Sequence, residues 1–152
     1  MQANRAAPYA YRSDARVPAF PDDRPIIIFD GLCVLCSCFV AFVLQQDKKR
    51  VFRLLTAQSP LGEALYLHFG LRAPDYETYL LLVDGQVLQK SDAALRIARL
   101  LGLPWSMFGV FSIAPRSWRD AFYDVVARNR LRWFGARQSC YAPAVGDAER
   151  FL

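Results

Sequence analysis

Two cysteines three positions apart, Cys33 and Cys36, follow a strand-like run and one glycine in Ile26-Ile27-Ile28-Phe29-Asp30-Gly31-Leu32-Cys33-Val34-Leu35-Cys36. A Cys-x-x-Cys at such a place points to dithiol–disulfide chemistry. A helix N-terminus carries partial positive charge and unsatisfied N–H groups, and both favour a thiolate over a thiol. Cys33, expected to be the more exposed of the two at the helix start, is the candidate nucleophile. Cys36, one turn further in on the same face, is the candidate resolving thiol. The oxidised pair closes a small ring with little help from chain entropy, so it can cycle. Half of a zinc site and two buried core thiols are the alternative readings of the same pair.

Asp30 is the third candidate. It can shape the turn by accepting backbone N–H groups, or accept a proton from Cys36. Its charge alone raises a neighbouring thiol pKa, against the helix effect. Val34 and Leu35 offer no His or Lys to Cys33, so a moderate reductant is expected, with a potential below about −150 mV. Cys38, two residues past Cys36, leaves the shared face and is expected to be a buried apolar residue. Cys140 reads either as structural or as a third thiol near the site. His68, the one histidine, is expected to be solvated or cap-interacting, because nothing pairs it with a nucleophile.

The elements around these residues follow from their patterns. Ile26 to Phe29 suits a strand buried on both faces. Val34 to Leu44 is apolar apart from Ser37 and ends in Gln45-Gln46-Asp47-Lys48-Lys49-Arg50, cations where a helix end prefers them. Val51 to Leu55 reads as a second strand, parallel to the first through a right-handed crossover. Ser59-Pro60 starts a helix that Gly70 stops. Thr78 to Val83, Asp84-Gly85 and Gln86 to Lys90 predict a hairpin with a type I′ turn. Ser91-Asp92 is expected to cap a helix over 93–101, stopped by Gly102. The order β-α-β-α-β-β-α gives an α/β fold with a four-stranded mixed sheet in a thioredoxin-like arrangement. Residues 1–24 are expected to be a mobile N-terminal arm, 25–143 the single domain, and 144–152 a tail.

A C-terminal helical extension follows. Leu103 to Pro115 is an apolar linker, expected to pack on the domain, with a partner or membrane-surface patch as the alternative. Trp118, Phe122, Val125, Val126 and Asn129 recur at helical spacing, so 116–131 is predicted as an amphipathic helix. Arg128, Arg130, Arg132 and Arg137 near its end read as a solvated basic terminus.

The totals narrow the class. With 152 residues and 54% hydrophobic content, one domain can bury a core without staples. The net charge of +5 is mildly basic, yet no nucleic-acid motif accompanies it and no nucleic acid is expected. Four cysteines, three of them clustered, do not form a secreted disulfide framework. No signal peptide or membrane-spanning stretch is evident, so a cytoplasmic location is expected and membrane contact is not. Nor is there a Gly-rich dinucleotide fingerprint. No cofactor is expected, and a separate electron donor is.

Phe-Asp-Gly-Leu-Cys-Val-Leu-Cys, Ser91-Asp92-Ala93-Ala94-Leu95, Asn129-Arg130-Leu131-Arg132-Trp133-Phe134-Gly135 and Cys140-Tyr141-Ala142-Pro143, in that order, resemble the DCC family of thiol–disulfide oxidoreductases. The name stands for one Asp and two Cys, here Asp30, Cys33 and Cys36. The resemblance runs from about Ile26 to Pro143 and implies a thioredoxin-like fold with dithiol activity on mostly undefined substrates. Thioredoxins place a cis-Pro before the third strand, and Pro74 is the nearest candidate. The expected function is thus reversible dithiol–disulfide exchange, reducing a disulfide-containing protein or a small-thiol substrate. A zinc-binding module using Cys33, Cys36, Cys38 and Cys140, or a non-catalytic interaction module, is the alternative on the same fold.

Overall fold

Three isoleucines and a phenylalanine form β1 (Ile26–Phe29), and all four side chains are buried because β1 lies inside the sheet. The computed structural model describes residues 7–71, 79–136, 138 and 142–152. β1 pairs in parallel with β2 (Arg53–Thr56) and antiparallel with β3 (Leu80–Val83), which pairs antiparallel with β4 (Gln86–Gln89). The sheet order is β2-β1-β3-β4. Between β1 and β2 lies α1 (Val34–Gln46), between β2 and β3 lies α2 (Pro60–His68), and α3 (Lys90–Leu101) follows β4. This is the expected thioredoxin-like mixed sheet.

The period-two rule of strands divides the core into two layers. Ile26, Ile28, Leu55, Leu80 and Leu82 meet Leu65, Tyr66 and Phe69 of the α2 side. Ile27, Phe29, Leu54 and Leu81 meet Val40 and Val43 of α1 and Ala93 and Ile97 of α3. Truncating one such fully buried isoleucine to Ala would cost about 2–5 kcal/mol. Both layers press on β1, which therefore holds the Asp30–Cys33 turn at its end in a fixed place.

Local signals act largely as expected. The Ser59 hydroxyl accepts from the Gly62 N–H at 3.0 Å, with Pro60 at the first helical position. Asp84 and Gly85 both take left-handed backbone angles, φ 51° and 75°, as a type I′ turn requires. β2 begins two residues later than the sequence suggests. The N–H groups of Val51 and Phe52 donate to the Asp47 carboxylate at 2.9 and 3.0 Å instead of to the ladder.

Several expectations are corrected. α3 begins at Lys90, and Ser91 and Asp92 do not cap it. The Ser91 hydroxyl instead donates to Asp120 and Asp92 pairs with Arg116 and Arg119, so these side chains tie α3 to the next helix. Residues 7–24, expected as a mobile arm, lie against the domain. Tyr11 is fully buried, stacks on Phe20 and donates to Asp22 at 2.8 Å, and the Tyr9 N–H donates to the Gly85 carbonyl at 2.9 Å. The 144–152 tail also joins the fold. Leu152 N–H donates to Leu54 O at 2.9 Å, and buried Arg150 pairs with buried Asp47. His68 meets Asp14 at 2.7 Å, and the two carboxylate hydrogen bonds from Arg16 and His68 hold Asp14 below the usual carboxylate range. The Leu103–Pro104 peptide is cis. Pro74 and Cys140 lie outside the described residues.

The extension departs most from expectation. Residues Trp105–Ile113 form a 3-10 helix, and α4 runs Arg116–Phe134, three residues beyond the predicted end. Trp105 does pack inward, edge-on to Phe42 at 4.8 Å. Met107, Phe108, Val110, Phe111 and Ile113 do not, and they remain exposed. On α4 the apolar stripe through Trp118, Phe122 and Val125 faces outward. Tyr123, Val126, Ala127 and Arg130, a second set at helical spacing, form the inner face and line a cleft with α1 residues.

Candidate active site

The end of β1 delivers the turn, and the turn delivers Cys33 to the first position before α1. Cys33 keeps extended backbone angles there (φ −87°, ψ 123°), and its Sγ accepts the Cys36 N–H at 3.2 Å. A thiol sulfur thus occupies the place where a Ser or Asp oxygen usually caps a helix.

The hydrogen bond from the Cys36 thiol is the main influence that lowers the Cys33 pKa from 9.0 to about 6. Burial opposes it; the Cys36 N–H and the Arg130 charge assist, and Asp30 opposes. Cys36 moves the other way, well above the ordinary thiol range, because it donates to Cys33, is desolvated, and faces the Cys33 charge. The opposite shifts place the thiolate of the pair on Cys33 and the proton on Cys36.

Asp30 is buried and fully engaged. Its Oδ1 accepts the Leu32 N–H at 2.9 Å and the Gln58 side-chain amide at 2.6 Å, while Gln58 in turn accepts the Gly31 N–H at 3.0 Å. Its Oδ2 meets Arg130 Nη2 at 3.1 Å, and the two side chains are 9% and 8% exposed. Among the described residues no hydrogen bond joins the Asp30 carboxylate to either thiol. The geometry gives Asp30 the turn-shaping role and adds one that the sequence did not suggest, the partner of a buried arginine.

Arg130 and Gln58 are the site residues that sequence reasoning missed. Arg130 reads with its neighbours as part of a solvated helix end; it is instead buried beneath the site, one hundred residues from its partner in sequence. The signal for it lay in the second helical stripe, Tyr123-Val126-Ala127-Arg130, which carries smaller side chains than the one through Trp118 and Phe122.

The accessibilities of the cysteines reverse the expected ones. Cys33 is fully buried, Cys36 is half-buried, and Cys38 is exposed. Cys33 is covered because the chain leaving α4 passes over the start of α1, where Ala136 forms an antiparallel bridge with Cys33. Gly135 makes that path possible, with φ 86°, an angle that L-residues with side chains adopt only under strain. Cys36 faces a cleft of about 180 Å³ walled by Leu35, Phe39, Tyr79, Tyr123, Val126, Ala127 and Arg130. Phe39 stacks on Tyr79 at 5.0 Å and Tyr123 meets Tyr79 edge-on at 5.7 Å. Desolvation lifts both tyrosine pKa values above their ordinary range, so neither ionises near neutrality. Among the described residues no group of three or more His, Cys, Asp or Glu side chains gathers as a metal site.

A thioredoxin-like sheet with a thiolate–thiol pair at the start of its first long helix defines a dithiol protein. The model of the DCC1-like thiol-disulfide oxidoreductase family matches residues 27–136, and the chain belongs to that family. It is 35% identical over 127 residues to an uncharacterized protein, YuxK, of Bacillus subtilis, covering 84% of this chain and 93% of the relative. It is 38% identical over 120 residues to a chloroplastic DCC family protein of Arabidopsis thaliana, covering 78% of this chain and 70% of the relative. No solved structure matches the chain. No helix among the described residues is long and apolar enough to cross a membrane.

Proposed function

We propose that the protein is a thiol–disulfide oxidoreductase that reduces a protein disulfide or a small-molecule disulfide through Cys33 and Cys36. The observation that carries this reading is the Cys33 sulfur at the start of α1, held as thiolate by the Cys36 N–H and thiol. Cys33 attacks one substrate sulfur, the substrate S–S bond breaks, and the other sulfur leaves as a thiolate that takes a proton. In the resulting mixed disulfide the Cys33 charge is gone, and with it the hydrogen bond and repulsion that kept Cys36 protonated. Cys36 then loses its proton, attacks the Cys33 sulfur, and releases the second substrate thiolate. The substrate has gained two electrons and two protons, one proton from Cys36 and one from solvent, and a separate dithiol donor must return two electrons to the Cys33–Cys36 disulfide and one proton to Cys36.

Asp30 and Arg130 act as positioning residues in this scheme. Asp30 fixes the turn and Arg130 neutralises Asp30, so a buried carboxylate can sit beside a thiolate without abolishing it. The covering segment at Gly135–Ala136 moves aside for substrate, since Cys33 is otherwise closed to attack. A reducing compartment such as the cytoplasm suits this direction of exchange. The test is mixed-disulfide trapping. With Cys38 and Cys140 replaced by Ser, Cys36→Ser is expected to accumulate covalent adducts with disulfide substrates, and Cys33→Ser/Cys36→Ser none; equal adducts from both proteins would defeat the proposal.

A further inference from the structure

The segment 103–134 places most of its large apolar side chains outward where a folded domain would bury them. Ile113, Phe122 and Trp118 are 82%, 74% and 73% exposed. This is not a loosely attached stretch. Trp105 is fixed on Phe42, Phe108 stacks on Trp105 at 6.1 Å, and Phe111 stacks on Phe108 at 5.9 Å. The three-residue repeat of a 3-10 helix sets these rings above one another, and they run from the core into solvent. α4 follows after only Ala114 and Pro115, and its start is pinned to α3 by the Arg116–Asp92 pair at 3.0 Å. Its inner face serves the cysteine cleft, which leaves Trp118, Phe122 and Val125 on the outer one.

The charges say what covers this face. Arg116, Arg128 and Arg132 are exposed, and they are the only exposed charged residues between 103 and 134. The segment's two acids, Asp120 and Asp124, are partly buried and paired with Arg116 and Lys90. Lys48 and Lys49 line the same surface cleft as Leu103 and Trp105. The face therefore joins apolar and aromatic rings to arginines without a free acid. That is the composition of a surface that enters the headgroup region of an anionic bilayer. A second copy would set arginines against arginines.

We propose that this face seats the protein on an anionic lipid bilayer, with the rings of the 3-10 helix and α4 in the interface and Arg128 and Arg132 on lipid phosphates. The attachment is peripheral and lies beyond the redox reading. It does not pass through Cys33, so its outcome and that of the trapping experiment are independent. All three tryptophans of the chain, Trp105, Trp118 and Trp133, fall in the segment, so intrinsic emission reports directly on it.

The experiment is co-sedimentation of the full chain with vesicles of phosphatidylcholine, with and without phosphatidylglycerol, read with tryptophan emission. Binding and a blue shift are expected on the anionic vesicles, weakened by salt. Arg128→Gln/Arg132→Gln is expected to lower affinity about twenty-five-fold, at about fivefold for each cation. Ile113→Asp/Phe122→Asp, folded by circular dichroism, is expected to abolish binding. Absence of binding, or equal binding to neutral and anionic vesicles, would overturn the proposal. So would a stable dimer in light scattering that Ile113→Asp/Phe122→Asp converts to monomer, since the face would then belong to a second copy.

Discussion

Replacing Arg130 by Gln tests whether the end of α4 closes the site. The Asp30 and Arg130 side chains are both more than nine-tenths buried and meet at 3.1 Å. Loss of the guanidinium leaves the Asp30 carboxylate with the Leu32 N–H and the Gln58 amide but without a counter-charge. Breaking a buried pair from one side costs about 3–5 kcal/mol, a fifth or more of the stability of a domain that has about 5–15 kcal/mol in all. A solvated arginine at a helix end would cost about 0–1 kcal/mol. The assay is urea unfolding of the reduced protein at neutral pH. Asp30→Asn/Arg130→Gln, which buries no net charge, is expected to recover part of the loss. The same Arg130→Gln protein should show its Cys33 thiolate absorbance titrating above about 6, because one of the influences that lowers it is gone. A loss below about 1 kcal/mol together with an unmoved thiolate titration would refute the assigned role.

Other outcomes follow from the same geometry. The folded Cys33 pKa lies below its ordinary 9.0, at about 6, so between these values the unfolded chain binds more protons. Stability of the reduced protein should rise with pH across that window and be lost as pH falls through about 6, and Cys33→Ser should lack the rise in pH-dependent unfolding. Gly135→Val forces a β-branched residue to φ 86°, a strain of about 1–3 kcal/mol. It should loosen the cover over Cys33 and speed its reaction with an aromatic disulfide reagent in stopped flow; an unchanged rate would mean that the cover lies elsewhere. Arg150→Ala strands buried Asp47 and should cost about 3–5 kcal/mol in thermal or urea unfolding, a loss foreign to a mobile tail.

What was legible in the sequence was what neighbouring residues decide among themselves. The isoleucine run and Asp30-Gly31 place a strand and a turn; Ser59-Pro60 and Asp84-Gly85 place a helix start and a hairpin. Those elements in that order leave few sheets to build, and the two cysteines fall at the helix start whatever else happens. The rest depended on contacts between distant segments. Cys33 is covered because α4 returns across α1, a path that local pattern does not reveal. Arg130 is buried for the same reason, although three arginines within five residues read locally as a solvated end. On α4 two apolar stripes compete, and the one with the larger rings, normally the better guide to a core, faces outward. Ser91 and Asp92 look like a cap but are drawn away by Asp120, Arg116 and Arg119, partners whose position only the tertiary fold supplies.

The central claim is that Cys33 and Cys36 form a reversible, moderately reducing dithiol couple. Val34 and Leu35 place no His or Lys beside Cys33, so a potential below about −150 mV is expected. The measurement is a redox titration in glutathione or dithiothreitol buffers, with thiol trapping to resolve the two states. A two-electron transition below about −150 mV that disappears in Cys33→Ser and in Cys36→Ser is the expected result. A potential above about −150 mV, or the absence of a reversible Cys33–Cys36 disulfide, would contradict the account.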